Sequence, residues 1–354
     1  MMDKPITDDS VLLSIVIPAY NVEAYIGECL ESVIGQDIDN YEIICVEDHS
    51  EDGTAEIITQ YMQEYPFIRM YQKDQRGLGG CRNLGVSKAQ GKYIQFLDSD
   101  DVLMPDTLGM LTRHMEDGQL DAVFYSFENF LHQGSTIDDK KLKLNQRYHK
   151  GEYDSDATLS GVELLKEFHA NADYIIAAWN CMIRKSYLTD HDITFNPVII
   201  YEDWPFYMEL LLKAKKVRCL NDVCIRRRIR KNAITRNTGR AFHIYSKIIS
   251  VKAMYQVALK NQAVWEDCYE AVAGAMHIRA YSLCKDFRLA DEETRNKVLS
   301  MCSAEDAMFV KSIIIPWSET RNSELKAKRK CKKLKQKCEE LQKQLDKTNS
   351  EIHQ

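Results

Sequence analysis

Long hydrophobic runs are absent from this sequence. No run approaches the roughly 18–20 uninterrupted apolar residues that a membrane-spanning helix needs, and the first residues lack the basic and then apolar pattern of an export signal. The eleven cysteines include no CxxC pair and lie inside apolar segments, which is typical of small buried side chains rather than of disulfides or a zinc site. We therefore expect a cytoplasmic protein without membrane-spanning helices.

A large excess of positive charge is also missing from most of the chain. Residues 321–354 contain 11 Lys+Arg and 5 Asp+Glu, whereas the remaining residues contain 36 basic and 48 acidic ones. An acidic body argues against a nucleic-acid-binding protein. The basic tail leaves open a contact with an anionic surface.

The first 127 residues alternate between two kinds of segment. Short β-branched or aromatic runs alternate with stretches whose apolar residues recur every three or four positions, as in Ile26, Leu30, Val33 and Ile34. This alternation predicts βαβ units and a mostly parallel sheet, which is an α/β fold. The predicted strands cover 12–18, 41–46, 67–71, 92–97 and 121–127, and the predicted helices cover 24–34, 54–65, 79–89 and 104–115.

Polar clusters follow each of the first four predicted strands. Ligands of open parallel sheets bind beyond the carboxyl ends of the strands, so four such clusters predict one shared cleft. The clusters are PAYN (18–21), EDHSEDGT (47–54), KDQRG (73–77) and DSDD (98–101).

The fourth cluster is the strongest candidate for a metal site. Asp98 and Asp100 form a D-x-D pattern at a strand end, and carboxylate oxygens are the ligands that Mg²⁺ or Mn²⁺ prefers beside a diphosphate. Asp101 is free to cap the helix predicted to begin near Met104. The alternative is a polar turn without a metal.

Two further segments carry chemistry suited to a nucleotide. Asp48 follows the second strand, where a carboxylate suits a uracil N–H or ribose hydroxyls. Glycines precede Arg82, which suits a phosphate, but they follow the third strand rather than the first, so a dinucleotide-binding Rossmann domain is disfavoured.

The second half of the chain adds two motifs. Glu202 and Asp203 precede an apolar helix, where either carboxylate is a helix cap or a general base. Residues 217–237 are interpreted as two short strands around an Asn-Asp turn. Arg226, Arg228 and Arg230 share one face there, and we expect an anion such as a diphosphate to compensate their repulsion; the alternative is a solvated basic edge.

In combination these motifs resemble the family 2 glycosyltransferases, the inverting GT-A type of bacterial polysaccharide assembly. LSIVIPAYNVEAYIGECLESVIGQ (13–36) is similar to the opening block of that family, and GGCRNLGVSKAQGKYIQFLDSDD to its central block. WNCMIRKSYL and YEDWPF are similar to its acceptor half. The chain departs from the family in the nucleotide loop, where His49 stands in place of the usual glycine.

The resemblance implies a role for each site residue. Asp203 is the implied general base and Asp100 the ligand of a divalent metal, Mn²⁺ or Mg²⁺. The implied donor contacts are Asp48 with the base, Pro18, Tyr20, Asn21 and Glu23 around the nucleotide, Asp98 with the ribose or sugar, Arg82 near the sugar or diphosphate, and Arg228 or Arg230 with the diphosphate. Further substrate contacts are implied for Ser99, Trp179 and Glu202.

We therefore expect an inverting transferase that moves a sugar from a nucleoside-diphosphate donor, with UDP as the expected nucleotide, to a glycan or lipid-linked acceptor. The alternative is a non-catalytic nucleotide-binding scaffold that acts through its C-terminal helix. A nucleotidyltransferase is disfavoured because no glycine-rich loop follows the first strand.

The expected domain organisation has four parts. Residues 10–127 form the nucleotide-sugar half and 128–240 the acceptor half, followed by a helical extension (241–320) and a basic helix (321–354). The last of these carries a heptad seam that suits either a homodimeric coiled coil or a peripheral contact with an anionic membrane. The seam consists of Ala327, Cys331, Leu334, Cys338, Leu341, Leu345, Thr348 and Ile352.

Overall fold

The computed structural model describes residues 11–72, 77–131, 147, 151–174, 177–230 and 239–315. The described residues contain one eight-stranded sheet with the order β3-β2-β1-β4-β7-β6-β8-β5. Its strands are β1 (Leu13–Ala19), β2 (Tyr41–Glu47), β3 (Ile68–Gln72), β4 (Tyr93–Phe96), β5 (Val102–Leu103), β6 (Ala122–Leu131), β7 (Cys181–Arg184) and β8 (Val217–Ile229).

Helices connect and follow these strands. In the part that carries the sheet they are α1 (Ile26–Ile34), α2 (Thr54–Glu64), α3 (Leu78–Lys88), α4 (Thr107–Gly118), α5 (Gly161–Asn171), α6 (Lys185–Asp190) and α7 (Asp203–Lys213). The later described helices are α8 (Arg240–Lys260), α9 (Gln262–Trp265), α10 (Tyr269–Leu289), α11 (Glu292–Met301) and α12 (Ala304–Phe309).

The predicted α/β fold is confirmed. β3, β2, β1 and β4 are parallel neighbours, and the predicted strands and helices of this half all exist with small shifts at their ends. The second half mixes directions, because β7 runs antiparallel to both β4 and β6 and β5 runs antiparallel to β8. The predicted helical region after residue 240 is also confirmed as far as the described residues extend.

The predicted pair of short strands around Asn221-Asp222 is wrong. β8 is one continuous strand that runs parallel to β6, and the residues between Cys219 and Val223 form an irregularity in its register. Asn221 does not turn the chain because its side chain pairs with the backbone of Tyr153, accepting from its N–H at 3.0 Å and donating to its carbonyl at 2.7 Å.

The predicted start of the fourth helix near Met104 is also wrong. The short strand β5 intervenes and pairs with β8, and α4 begins only at Thr107. The proposed helix-capping role of Asp101 therefore fails. Its buried carboxylate instead accepts the backbone N–H of Arg228 at 2.8 Å, which joins the D-x-D turn to β8.

The described residues fall into two compact units. One contains residues up to 239 together with 249–279, and the other contains 240–248 and the described residues from 280 onward. In the second unit, Lys247 donates to Ser282 and Asp286. None of the helices in the described part of the chain combines the length and hydrophobicity that crossing a membrane requires. The heptad seam at 327–352 lies outside the described residues, so its role remains a prediction.

Tight packing of α3 on β1 gives a test of this fold. All seven residues of β1 are buried, and a Cβ at Gly85 would lie 2.2 Å from Val16 Cγ1. We expect Gly85→Ala to lower the free energy of unfolding by about 1–3 kcal/mol in urea denaturation, because overpacking forces buried groups apart. In Gly27→Ala the new Cβ would lie 3.5 Å from the Tyr61 hydroxyl oxygen, an ordinary contact. This control should be unchanged or slightly stabilised, and equal effects of the two variants would contradict the packing argument.

Candidate active site

The carboxyl ends of three parallel strands meet at one edge of the sheet. The Asp48 N–H donates to the Ala19 carbonyl at 2.9 Å, and the Leu97 N–H donates to the Val16 carbonyl at 3.0 Å. The polar clusters that follow β1, β2 and β4 therefore lie side by side. In the cluster at 73–77, Gly77 alone lies within the described residues.

The loop after β2 is organised by a buried carboxylate. Glu47 accepts hydrogen bonds from the Ser50 N–H at 2.5 Å, the His49 N–H at 3.1 Å and Gln72 Nε2 at 2.9 Å. Burial opposes the charge of Glu47, but these hydrogen bonds prevail and lower its pKa. His49 has φ of 62°, in the left-handed region that favours glycine, so a histidine stands here at some conformational cost.

Asn21 and Glu23 hold this loop from the β1 side. The Glu51 N–H donates to Asn21 Oδ1 at 2.8 Å, and the Gly53 N–H donates to Glu23 Oε2 at 2.7 Å, just before α2 begins. Pro18 lies in β1 opposite Val46, and Tyr20 is half-buried. The structure thus places both Asn21 and Glu23 as supports of the loop, and their contact with a nucleotide remains a prediction.

Asp48 presents one unused acceptor. Its Oδ2 accepts the Gly77 N–H at 2.8 Å, while its Oδ1 is buried without a hydrogen-bond partner among the described residues. An unpaired buried acceptor is costly and suits a ligand that supplies an N–H or O–H. Gly77 takes φ of 136°, which a side chain would oppose, and a Cβ there would lie 2.3 Å from the Pro197 carbonyl oxygen. This glycine therefore admits a neighbouring backbone segment rather than a ligand.

Arg82 joins the two acidic motifs of the sequence. Its Nη2 donates to Asp98 Oδ1 at 2.9 Å, its Nη1 pairs with Glu202, and its guanidinium carbon lies 5.4 Å from the centre of the Phe195 ring. Arg82 and Glu202 are both almost fully buried, so each depends on the other for compensation of its charge. Arg82 and Glu202 are 120 residues apart in the sequence. Through Arg82, the D-x-D turn and the Glu-Asp pair are fixed relative to one another.

Asp203 lies beside this bridge at the start of α7. Glu202 occupies the N-cap position without capping the helix through its side chain, because that side chain is directed to Arg82. Asp203 Oδ1 is buried and has no hydrogen-bond partner among the described residues. Burial and the neighbouring charge of Glu202 raise the pKa of Asp203 to about 8, against the opposing charges of Arg82 and Arg279. A half-buried carboxylate with this pKa has the properties of a general base near neutral pH.

The three arginines at the end of β8 and directly after it alternate with aromatic rings. The Phe130 ring lies between Arg226 and Arg228, at 4.6 and 4.5 Å from their guanidinium carbons, and the Tyr25 ring lies between Arg228 and Arg230, at 5.3 and 5.0 Å. Cation–π contacts of this kind stabilise stacked guanidinium groups.

Each of these arginines also has its own carboxylate. Arg226 pairs with Glu128 at 2.9 Å, Arg228 with Glu28 at 2.6 Å, and Arg230 with Asp100 at 2.5 Å. Carboxylates within the chain therefore compensate the three charges without an external anion, and a contact of Arg228 or Arg230 with a diphosphate remains a prediction.

The turn after β4 brings together oxygen atoms that are suited to bind a metal ion. Asp100 is one-fifth exposed and keeps Arg230 on Oδ2, while Asp98 is about one-third exposed; Ser99 is buried. Burial raises the pKa of Asp98 and, more strongly, that of Asp101, with the mutual repulsion of the three carboxylates adding to the effect. Within the described residues, no group of three His, Cys, Asp or Glu forms a cage for a metal ion. Asp100 fits a hard cation only if a ligand such as a diphosphate completes the coordination shell.

Trp179 lies in the core rather than at the cleft surface. It is about 5% exposed, its ring packs edge-on against Phe127 at 4.8 Å, and its carbonyl accepts from Tyr125 and Gln95. Its predicted substrate contact is not among the contacts of the structure and remains a prediction.

The sequence analysis did not identify three residues that contact the arginines at the end of β8. Tyr25 and Glu28 lie three positions apart at the start of α1, which places them on one face of the helix, and Phe130 lies at the end of β6. The helical spacing of Tyr25 and Glu28 just after the first polar strand end was the available signal. The partner arginines are about 200 residues away in sequence, so no local pattern links the two groups.

The sheet and its strand-end cleft define the class of fold. The structure is similar to that of TarS from S. aureus in complex with UDP-GlcNAc, with a TM-score of 0.62 and 20% identity over 82% of this chain and 79% of the other. The fold is therefore that of the GT-A glycosyltransferases.

The family follows from the sequence of this domain. Residues 14–187 match the family model of glycosyl transferase family 2. The resemblance drawn from the motifs is therefore confirmed over this segment.

Two relatives show the extent of the similarity. EpsJ of Bacillus subtilis strain 168, described as an uncharacterized glycosyltransferase, is 31% identical over 225 residues, which are 63% of this chain and 63% of EpsJ. A chondroitin synthase of Escherichia coli is 35% identical over 127 residues, 36% of this chain and 18% of that protein. The chain thus spans less than two thirds of the length of these relatives.

Replacement of Arg82 tests how much its contacts contribute to the stability of the folded protein. We expect Arg82→Met to lower the free energy of unfolding by about 3–5 kcal/mol at neutral pH, because Asp98 and Glu202 lose their common cation in a buried setting. Urea denaturation followed by circular dichroism measures this loss. Lys92→Met, which breaks an exposed pair with Glu116, is the control and should cost less than about 1 kcal/mol. Similar losses in both variants would contradict the bridging role.

Proposed function

We propose that this protein is an inverting glycosyltransferase that uses Asp203 as its general base. The observation that carries the proposal is the environment of Asp203, which lies after the segment that matches family 2: a half-buried carboxylate with a pKa near 8 and an oxygen that has no hydrogen-bond partner among the described residues. Such a group removes a proton from an acceptor hydroxyl as the oxygen attacks the anomeric carbon of the donor. One displacement needs no covalent intermediate, so the configuration inverts.

The residues at the strand ends suit the donor nucleotide. Asp48 Oδ1 has no hydrogen-bond partner within the part of the chain that the structure describes, and it suits the N–H of a uracil base. Arg230 is buried beside Asp100 and suits the diphosphate, whereas Arg228 also binds the Asp100 carbonyl at 2.8 Å and supports the turn. A divalent metal bound through Asp100 would supply stabilisation of the negative charge on the departing nucleoside diphosphate.

Relatives suggest the class of substrate. The complex of TarS contains UDP-GlcNAc, and another relative is a chondroitin synthase. We infer a UDP-sugar donor and a glycan or lipid-linked glycan acceptor in cell-surface polysaccharide synthesis. A non-catalytic scaffold is not favoured by any observation of the site, because a scaffold has no use for the unpaired carboxylate of Asp203.

Replacement of Asp203 tests its proposed role as the general base. We expect Asp203→Asn to reduce transfer at least about 100-fold, since general-base catalysis is commonly worth 10²–10⁴ in rate, while UDP affinity by calorimetry stays within a factor of about three. In the unchanged protein the transfer rate should fall as pH decreases below about 8, because protonated Asp203 cannot accept a proton.

The exposed Asp190→Asn serves as the matched control and should retain full activity. Lost UDP binding in Asp203→Asn, or transfer that is independent of pH between 6 and 9, would contradict the assignment.

Replacement of Asp100 tests its proposed role as the ligand of a divalent metal. We expect Asp100→Ala to abolish the part of UDP binding that depends on Mn²⁺, because the ion loses its protein ligand. Isothermal calorimetry with and without Mn²⁺ measures the difference. Asp117→Ala, an exposed change on α4, should behave as the unchanged protein does. UDP binding that still strengthens with Mn²⁺ in Asp100→Ala would exclude Asp100 as the ligand.

A further inference from the structure

A second arginine lies near the proposed base, and both residues follow the segment that matches the family model. Arg279 belongs to α10, and its guanidinium carbon lies 4.8 Å from the centre of the Trp204 ring. Its Nη2 also donates to the Tyr174 carbonyl at 3.2 Å. Trp204 is buried and directly follows Asp203 in α7. Arg279 thus contacts the residue next to the base.

The backbone before the base needs such support. Tyr201 has φ of 67°, a left-handed conformation that costs a residue with a side chain. Its ring packs against Trp204 at 4.7 Å, and its carbonyl accepts from Ser250 Oγ at 2.8 Å. Arg279 therefore covers the ring of Trp204 in a turn that is held from several sides. A turn of this kind fixes the direction of the first side chain of α7.

The charge of Arg279 acts on the same carboxylate. Among the described residues, the charged groups with the largest effect on the pKa of Asp203 are Glu202, Arg82, Arg279 and Asp98. Arg82 is already engaged by Asp98 and Glu202, and it compensates them first. The charge of Arg279 adds to the larger effect of Arg82, and both lower the pKa of Asp203 against the effects of burial and of Glu202.

We propose that Arg279 is a positioning residue for the general base: it fixes Trp204 and the first turn of α7, and its charge stabilises the carboxylate form of Asp203. This inference rests on the proposed function, because it requires that Asp203 accepts the proton. It extends the active site into the helical region that follows the matched family segment.

The test compares pH–rate profiles of Arg279→Met and Arg279→Lys with the unchanged protein. We expect Arg279→Met to move the midpoint of the rising limb to higher pH. A shift of one pH unit corresponds to about a tenfold loss of rate below the midpoint and to recovery at high pH. Arg279→Lys keeps the charge and should keep the midpoint, with a lower maximal rate because a lysine does not stack as a guanidinium does. The KM for the donor should be unchanged in both variants.

Arg288→Met, on the same helix, is the control and should have the unchanged profile. A uniform loss of rate at every pH in Arg279→Met, without a shift of the midpoint, would overturn the inference. Should that variant not fold, a displaced midpoint in Arg279→Lys would likewise overturn the role of the charge. Asp203→Asn separates the two claims: if it retains transfer, the base assignment fails, whereas an inactive Asp203→Asn with an unshifted Arg279→Met refutes the role of Arg279 alone.

Discussion

The site depends on one buried cation. Arg82 contacts Asp98 after β4 and Glu202 before α7, and it lies among groups that exclude water. Buried charges are tolerated only when they are paired and hydrogen-bonded, so the two carboxylates and the arginine must be placed together or not at all. This requirement joins the donor side of the cleft, where Asp98 lies, to the proposed base at Asp203. The relative position of the two sides is therefore fixed by the folded core rather than by a ligand.

The same bridge engages Arg82 with two other carboxylates, and burial together with the charge of Glu202 outweighs the effects of Arg82 and Arg279 on Asp203. Because the pKa of Asp203 in the folded state, about 8, lies above the value near 4 expected for an unfolded aspartate, the folded protein binds more protons between these pH values. Its stability therefore falls as pH rises through that window. An oxygen of Asp203 without a hydrogen-bond partner among the described residues costs stability in the folded protein. Under the proposed function, the same environment provides a proton acceptor that is matched to neutral pH.

The sequence predicted the parallel half of the fold well, because apolar runs of β1 to β4 are buried on both faces and their spacing reports βαβ units directly. Prediction from the sequence failed where a local pattern was compatible with two different structures. Asn221-Asp222 is a pair of residues common in turns. The Asn221 side chain instead pairs with the backbone of Tyr153, 68 residues away, and the segment continues as one strand. The start of α4 was misplaced for a similar reason, since β5 exists only through its pairing with β8.

The candidate site shows the same division between local and distant information. The sequence identified the arginines and the aspartates by residue type, but it could not show that Arg228 pairs with Glu28 and Arg230 with Asp100, because these contacts span 200 and 130 residues. The pairing has a consequence for the proposed function. Under the proposed function, a diphosphate would compete with Asp100 for Arg230, and a cation would compete with Arg230 for Asp100. Binding of either one releases a group that the other needs, so nucleotide and metal should favour each other's binding.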